Sequence, residues 1–236
     1  MGNALVIGAN GGIGAALVAA LAASGRYGRV IAAARRRPGA LSDGVDYLPV
    51  DIADPASIAA AAARIDAPLS CVIVATGILH DQDAGPERSL RDLDADRLAH
   101  LFAINTIGPA LALQQFAPLL AKDAPAAIAC ISARVGSISD NRLGGWYGYR
   151  ASKAALNQIV RTAAIELARG RPQAVCVALH PGTVDTGLSK PFQRGVPPEK
   201  LFTTAYSAER MLAVLDGLTP AHSGRIFAWD GTEVAP

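Results

Sequence analysis

Tyr149 and Lys153 stand four residues apart in the run Tyr149-Arg150-Ala151-Ser152-Lys153. In a helix that spacing brings both side chains to one face. A phenol with its ordinary pKa of about 10 is a poor general base near neutrality. A neighbouring ammonium favours the tyrosinate and lowers that value. Such a pair can hand a proton to an alkoxide or take one from an alcohol. Hydride transfer to a carbonyl leaves an alkoxide that needs this proton. The spacing alone is common by chance, so its meaning depends on what surrounds it.

The second chemical feature is Gly8-Ala9-Asn10-Gly11-Gly12-Ile13-Gly14, which follows a short apolar run at the start of the chain. Gly8 can turn sharply, Gly12 lets backbone approach a pyrophosphate, and Gly14 permits close packing of the next helix. That helix would offer free N–H groups and a positive dipole end to phosphate oxygens. A glycine-rich turn is weak evidence alone, and stronger between a strand and a helix. The turn holds no Ser, Cys, His or acid, which argues against a nucleophile or metal loop.

The next apolar run ends Ala32-Ala33-Ala34-Arg35-Arg36. An acid at this point would hold a ribose 2′-hydroxyl, and none is present. Arg35 supplies a planar fork for a 2′-phosphate. The expected cofactor is therefore NADP (NADPH). The competing reading, a solvated arginine turn, is preferred for Arg37. Asp51, in Val50-Asp51-Ile52, can accept from an adenine amino group or cap a helix, a role Asp54 fills better.

The elements that must position these groups follow from the apolar pattern. Strands are expected at 4–8, 29–34, 45–50, 71–75, 127–132, 174–180 and 225–229. Most are continuous apolar runs, as in a parallel sheet covered on both faces. Helices are expected at 12–24, 54–65, 93–120 in two pieces broken near Gly108-Pro109, 149–169 and 207–218. The alternation implies an α/β, doubly wound Rossmann-type fold, with a seven-stranded, mostly parallel sheet and helices on both faces. Residues 1–236 read as one domain with a substrate loop near 187–204.

Composition bounds the rest. The chain is 51% hydrophobic with a formal charge of +2, enough for one buried core. Three arginines at a strand end are too few for a nucleic-acid groove. No run approaches the roughly 18 apolar residues of a membrane span. Cys71, Cys130 and Cys176 lie in apolar runs without metal-ligand spacing. Reduced thiols, no metal site and a cytoplasmic setting are expected.

Together these features resemble the short-chain dehydrogenase/reductase family over essentially the whole chain. The likeness is strongest to the branch that includes C-factor-like signalling proteins and small carbonyl reductases. It is carried by Arg134-Val135-Gly136-Ser137-Ile138, Gly144-Gly145-Trp146-Tyr147 and the run from Tyr149 to Asn157. The resemblance implies an NADP-dependent oxidoreductase acting on a small carbonyl or alcohol, with Tyr149 as general acid/base. It implies an Asn, Ser, Tyr, Lys set, here Asn105, Ser132, Tyr149 and Lys153, with Lys153 also holding the nicotinamide ribose. It implies cofactor contacts from Gly77, Pro181, Gly182, Val184 and Thr186, beside Asn10, Gly11, Ile13 and Ile52. Pairing of subunits through the two long helices, as a homodimer or homotetramer, is implied as well.

Three departures matter. Counting back from Gly136, the usual serine position falls on Ala133, so Ser132 is one residue early on an alternating strand. Ser137 or Ser139 can substitute. The usual Asn-Asn-Ala-Gly reads Val74-Ala75-Thr76-Gly77. Tyr147 and Trp146 are assigned to the substrate wall or to packing, and His180 and His80 to structural roles. The alternative function is an NADP(H)-binding signalling or regulatory protein with little turnover.

Overall fold

A computed structural model describes residues 2–39, 41–80 and 85–236. Asp81, beside His80 in the sequence, lies outside the described residues. The elements run β1 Asn3–Ile7, α1 Gly12–Ala23, β2 Val30–Ala34, β3 Val45–Pro49, α2 Pro55–Ala62, β4 Leu69–Val74 and α3 Ala95–Phe102. A π-helical turn, Ala103–Ile107, joins α3 to α4 Gly108–Phe116. Then follow β5 Ala126–Ile131, α5 Tyr147–Gly170, β6 Ala174–His180, β7 Thr183–Val184, β8 Leu201–Phe202, α6 Thr204–Gly217 and β9 Ile226–Ala228.

Seven strands form one sheet in the order β3-β2-β1-β4-β5-β6-β9, and every pairing in it is parallel. The continuous apolar runs have the cause expected of them: both faces are covered. Alternate residues of β1 split between two cores. Leu5 and Ile7 join Ile58, Phe116, Leu156 and Val160 on the face of α2, α4 and α5. Ala4 and Val6 join Leu17, Leu21, Met211 and Leu215 on the face of α1 and α6. The chain winds outward from β1 to β3 and then returns to β4, so strand order reverses between β1 and β4. Ligands of open α/β sheets bind in the crevice at such a point, outside the carboxyl ends of the strands.

Two expectations need correction. The irregularity in the 93–120 helix does fall beside Gly108-Pro109, but it is a π turn that carries the helix on rather than a gap between two pieces. Pro109 sits in the first turn of α4, where its missing N–H costs nothing. Gly108 is required there by contact rather than flexibility: a Cβ would lie 2.4 Å from the Ile52 carbonyl oxygen. The 187–204 loop is also more ordered than expected. Its end forms β8, which pairs with β7 in a separate two-stranded ribbon. Asp54 caps α2 by accepting from Ala56 N at 2.9 Å, as its position predicts.

Candidate active site

The turn after β1 fits its glycines closely. Gly8 has φ +92, the left-handed side that favours glycine. Gly14 sits so near that turn that a Cβ would lie 2.2 Å from the Gly8 carbonyl oxygen. A Cβ on Gly12 would meet the methyls of Thr186 at 3.0 Å and Thr204 at 3.2 Å. Gly11 caps α1 without a side-chain hydrogen bond, and no acid lies in the first turn. The helix therefore keeps its N–H groups and positive end for an anion.

Two cavities open along the carboxyl ends of the strands and share Ala75, Thr76 and Gly77. The first, about 310 Å³, touches Gly8, Asn10, Gly11, Arg35, Asp51 and Ile52. Asn10 donates to the Arg36 carbonyl and so ties the glycine turn to the end of β2. The Asp51 carboxylate accepts from Ala53 N at 3.0 Å, so its turn is fixed while it still faces the cavity. Arg37 instead lies over the Tyr47 ring, away from this wall. The second cavity, about 380 Å³, is lined by Ile13, Tyr149, Lys153, Pro181, Gly182, Val184 and Thr186, among others. The Thr76 hydroxyl oxygen is buried on the shared strip without a hydrogen-bond partner. An orphaned hydroxyl, a glycine cradle and an open helix end are what an extended, phosphate-bearing dinucleotide would use.

Tyr149 and Lys153 enter the second cavity from the first two turns of α5. The Lys153 Nζ donates to the Ile131 carbonyl at 2.9 Å and lies 5.9 Å from the centre of the Tyr149 ring. Gly77 leaves the room for it: a Cβ there would come within 3.3 Å of Nζ. Asn105 is fully buried in the π turn. Its Oδ1 accepts from Ile78 N at 2.9 Å, and its Nδ2 donates to Ile78 O at 2.8 Å and Ser152 Oγ at 3.1 Å. The π turn thus joins β4's end to α5 through one amide. Asn105 lines neither cavity, although Ile104 of the same turn lines the first.

The electrostatics differ from the expectation. Burial pushes the Tyr149 phenol above its ordinary value, and no lowering by Lys153 offsets it. Burial also drives the Lys153 amine down to about 8. Desolvation therefore wins over charge pairing, because the ammonium is held by a carbonyl rather than by the phenol. The tyrosine is protonated at neutral pH, which suits a proton donor.

The same desolvation acts on the thiols. Burial pushes Cys71 and Cys130 up to about 12, and Cys176 higher still. An unfolded chain releases these protons near pH 9, before the folded chain does. Above that pH the unfolded state binds fewer protons, so unfolding free energy falls as pH rises. Lys153 works in the opposite sense between about 8 and 10.5, one group against three thiols and the raised phenols of Tyr27 and Tyr149. Urea titrations should show stability declining from about pH 9 to 11. A flat or rising profile would contradict thiol burial.

The serines divide. Ser132 lines the cavity, but its hydroxyl donates to Asn157 Oδ1 at 2.7 Å. Ala133 also lines the cavity and carries no polar group. Ser137 and Ser139 bond the Pro236 carbonyl instead and lie outside the cavity wall. Trp146 is part of the wall, while Tyr147 is not. Trp146 packs on Phe192 at 5.1 Å, and His80 meets Phe192 edge-on at 5.6 Å. Leu188, Ser189 and Val196 complete the side supplied by the 187–204 segment.

Some supports are invisible in the sequence. Trp146 adopts φ +53, ψ +45 just before α5, uncommon for a bulky residue. Its N–H donates to the Glu87 carbonyl, and the buried Glu87 carboxylate accepts from Gly148 N at 3.2 Å. The Arg150 guanidinium donates to Gly145 O at 2.9 Å and Gly144 O at 3.1 Å. These bonds hold the strained residue, and so the aromatic wall, in place. A charged residue in a loop or on a helix reads as solvated, so neither Glu87 nor Arg150 of α5 carries a signal of this role in the sequence.

A parallel sheet with this strand order, a glycine turn at its reversal point and a Tyr-Lys pair across the cleft define a nucleotide-dependent α/β oxidoreductase. The short chain dehydrogenase family model matches residues 2–196, and the chain belongs to that family. It is 33% identical to the 1-hydroxy-2-glutathionyl-2-methyl-3-butene dehydrogenase of Rhodococcus sp. (strain AD45), over 98% of each chain. It is 41% identical to the C-signal protein of Myxococcus xanthus over 147 residues, which cover 62% of this chain and 82% of that one. Among solved structures, the NADPH-bound carbonyl reductase from chicken fatty liver superposes with a TM-score of 0.86 at 30% identity, covering 99% of this chain and 94% of that one. No helix among the described residues is long and apolar enough to cross a membrane.

Proposed function

We propose that this protein is an NADPH-dependent reductase of small carbonyl compounds, with Tyr149 as the proton donor. The observation that carries the reading is the strip Ala75, Thr76 and Gly77, common to the cavity of Arg35 and the cavity of Tyr149. One ligand lying across that strip reaches both groups. Bound NADPH would supply the hydride. Gly8, Asn10, Gly11, Gly12, Ile13 and Gly14 would hold its phosphates, and Arg35 its 2′-phosphate. Asp51 and Ile52 would border the adenine. Gly77, Pro181, Gly182, Val184 and Thr186 would border the nicotinamide end. Tyr149 would donate to the substrate oxygen, Lys153 would hold the ribose, and Asn105 would keep β4 and α5 in register.

NADPH consumption over a panel of aldehydes, ketones and quinones tests the reading directly. The cofactor assignment has a separate test. Arg35→Ala removes charge-assisted hydrogen bonds of about 1.5–3 kcal/mol, a roughly tenfold to hundredfold loss. NADPH affinity should fall by that factor while NADH affinity stays nearly unchanged. Equal losses for both nucleotides would refute the assignment.

A second reading, an NADP(H)-binding signalling protein with little turnover, is favoured by Ala133 and by the likeness to C-signal. Tight NADPH binding without turnover of any carbonyl would support it. We also infer one domain, a cytoplasmic setting suited to the free thiols, and a homodimer or homotetramer paired through α4 and α5. Ile107, at the end of the π turn that leads into α4, and Ile165 of α5 are exposed large apolar groups. Light scattering reads the mass.

A further inference from the structure

Reduction of a carbonyl puts negative charge on its oxygen, and a second donor beside the tyrosine lowers the barrier. The cavity's other side chains are mostly unsuited to this. Lys153 is committed to Ile131, Ser132 to Asn157 and Ser189 to Val184. Arg134 is bonded to Asp140 and largely exposed. His180 remains.

Strands β5 and β6 pair in parallel, with Cys130 opposite Ala178 and Ile131 opposite Leu179. The ladder continues through Ser132 N donating to Leu179 O at 2.8 Å. Ser132 and His180 are therefore the next neighbours. Alternation sends both to the face of Cys130 and Ala178, which is the face of α5. Asn157 of α5 meets Ser132 there. Its Oδ1 accepts the Ser132 proton, and its Nδ2 is buried with no partner. The His180 Nδ1 is likewise buried with no partner. The residue as a whole keeps partial exposure and lines the cavity. Two orphaned atoms, an amide donor and a ring nitrogen, thus belong to side chains that both flank Ser132, one through its hydroxyl and one through the strand ladder. Buried polar atoms are normally paired, directly or through one bridging water.

We propose that Ser132 and Asn157 fix the tautomer of His180, so that its Nε2–H faces the cavity and donates to the substrate oxygen beside Tyr149. The logic is a single chain of donors. Ser132 Oγ–H sets Asn157 with Nδ2 as its free end. An amide donor facing Nδ1 requires a lone pair there. A neutral imidazole then carries its only proton on Nε2. Burial keeps the ring neutral, with Arg134 adding to that effect and Asp230 opposing it, so the pKa falls to about 4. The ring would act as a hydrogen-bond donor and not as a proton source.

This inference rests on the reductase reading, so its test uses one readout that needs no substrate. Nitrogen-15 NMR of ring-labelled histidine in the intact protein with NADPH should show His180 as the Nε2–H tautomer at pH 7. Asn157→Ala should mix the tautomers. A proton on Nδ1 in the parent chain would overturn the proposal, because it would mean the amide is turned the other way. The kinetic arm uses 4-nitrobenzaldehyde and phenanthrenequinone as probes. His180→Leu should lower kcat by about a hundredfold, with NADPH affinity and thermal midpoint little changed. His180→Gln, which keeps an N–H near the same place, should recover most of the loss. Ala133→Ser, placing a hydroxyl on the cavity wall, should restore activity to the His180→Leu background and add little to the parent. Full activity in His180→Leu, or no rescue by either change, refutes the role. If His180→Leu does not fold, the Gln variant and the ring shifts decide. Absence of turnover in the parent chain sinks the reductase reading, and the ring shifts alone then decide this one.

Discussion

Tyr149→Phe should lower kcat for carbonyl reduction by about 10²–10⁴-fold, the usual contribution of a positioned general acid. NADPH affinity should stay within a factor of a few, because the nucleotide is read by the glycine turn and Arg35. The phenol is 8% exposed, and its hydroxyl makes no hydrogen bond that a phenylalanine would leave unpaired inside the core. The fold should therefore survive, and the thermal midpoint should move little. The high pKa of the buried phenol adds a directional expectation. Because burial disfavours the phenolate, the group gives protons more readily than it removes them. Reduction should hold its rate across neutral pH, whereas oxidation of the product alcohol should need a more alkaline medium. A Tyr149→Phe variant with normal turnover on a true substrate would end the proposed mechanism.

Gly14→Ala should abolish nucleotide binding and destabilise the chain. The new Cβ would lie 2.2 Å from the Gly8 oxygen and 2.8 Å from the Gly8 carbon, both backbone atoms. No rotamer can relieve that contact. Either α1 moves away from β1 or the turn opens. Overpacking of this kind costs about 1–3 kcal/mol, and a displaced helix end no longer aims its N–H groups at a phosphate. A drop in thermal midpoint with at least a tenfold weaker NADPH affinity is expected, the latter read by nucleotide fluorescence. Gly25→Ala is the control for helix-end glycines. Gly25 meets nothing within 4 Å, although its φ of +62 carries a modest strain. It should cost stability without touching affinity. Equal affinity in parent and Gly14→Ala chains would show that the turn does not hold the cofactor.

Much of this was legible from residue types. Continuous apolar runs mark most of the strands because both faces are covered, while the edge strand β3 has Asp46 and Pro49 exposed. Gly8, Gly12 and Gly14 mark the turn because only glycine fits those contacts. The spacing of Tyr149 and Lys153 marks a shared helix face. What escaped the sequence is where opposing physical effects compete. The balance between burial and charge at Tyr149 depends on Lys153 turning to Ile131, and no spacing encodes that choice. The π turn at Ala103–Ile107 is hidden because Gly108-Pro109 is the stronger local break signal. His180 read as an ordinary strand end, since the residues proposed to orient it, Ser132 and Asn157, lie 48 and 23 positions away in sequence.

The contact of Gly12 with Thr186 and Thr204 bears on the order of events. These two threonines bracket the segment that supplies Leu188, Phe192 and Val196 to the cavity wall. The β7–β8 ribbon closes the base of that segment. Both feet of the flap therefore rest on the turn that would carry the pyrophosphate. A nucleotide seated there would lie against both feet, whereas a substrate would meet only the inner side of the segment. If the proposed function holds, product-inhibition kinetics should accordingly show the nucleotide binding before the substrate and leaving after it.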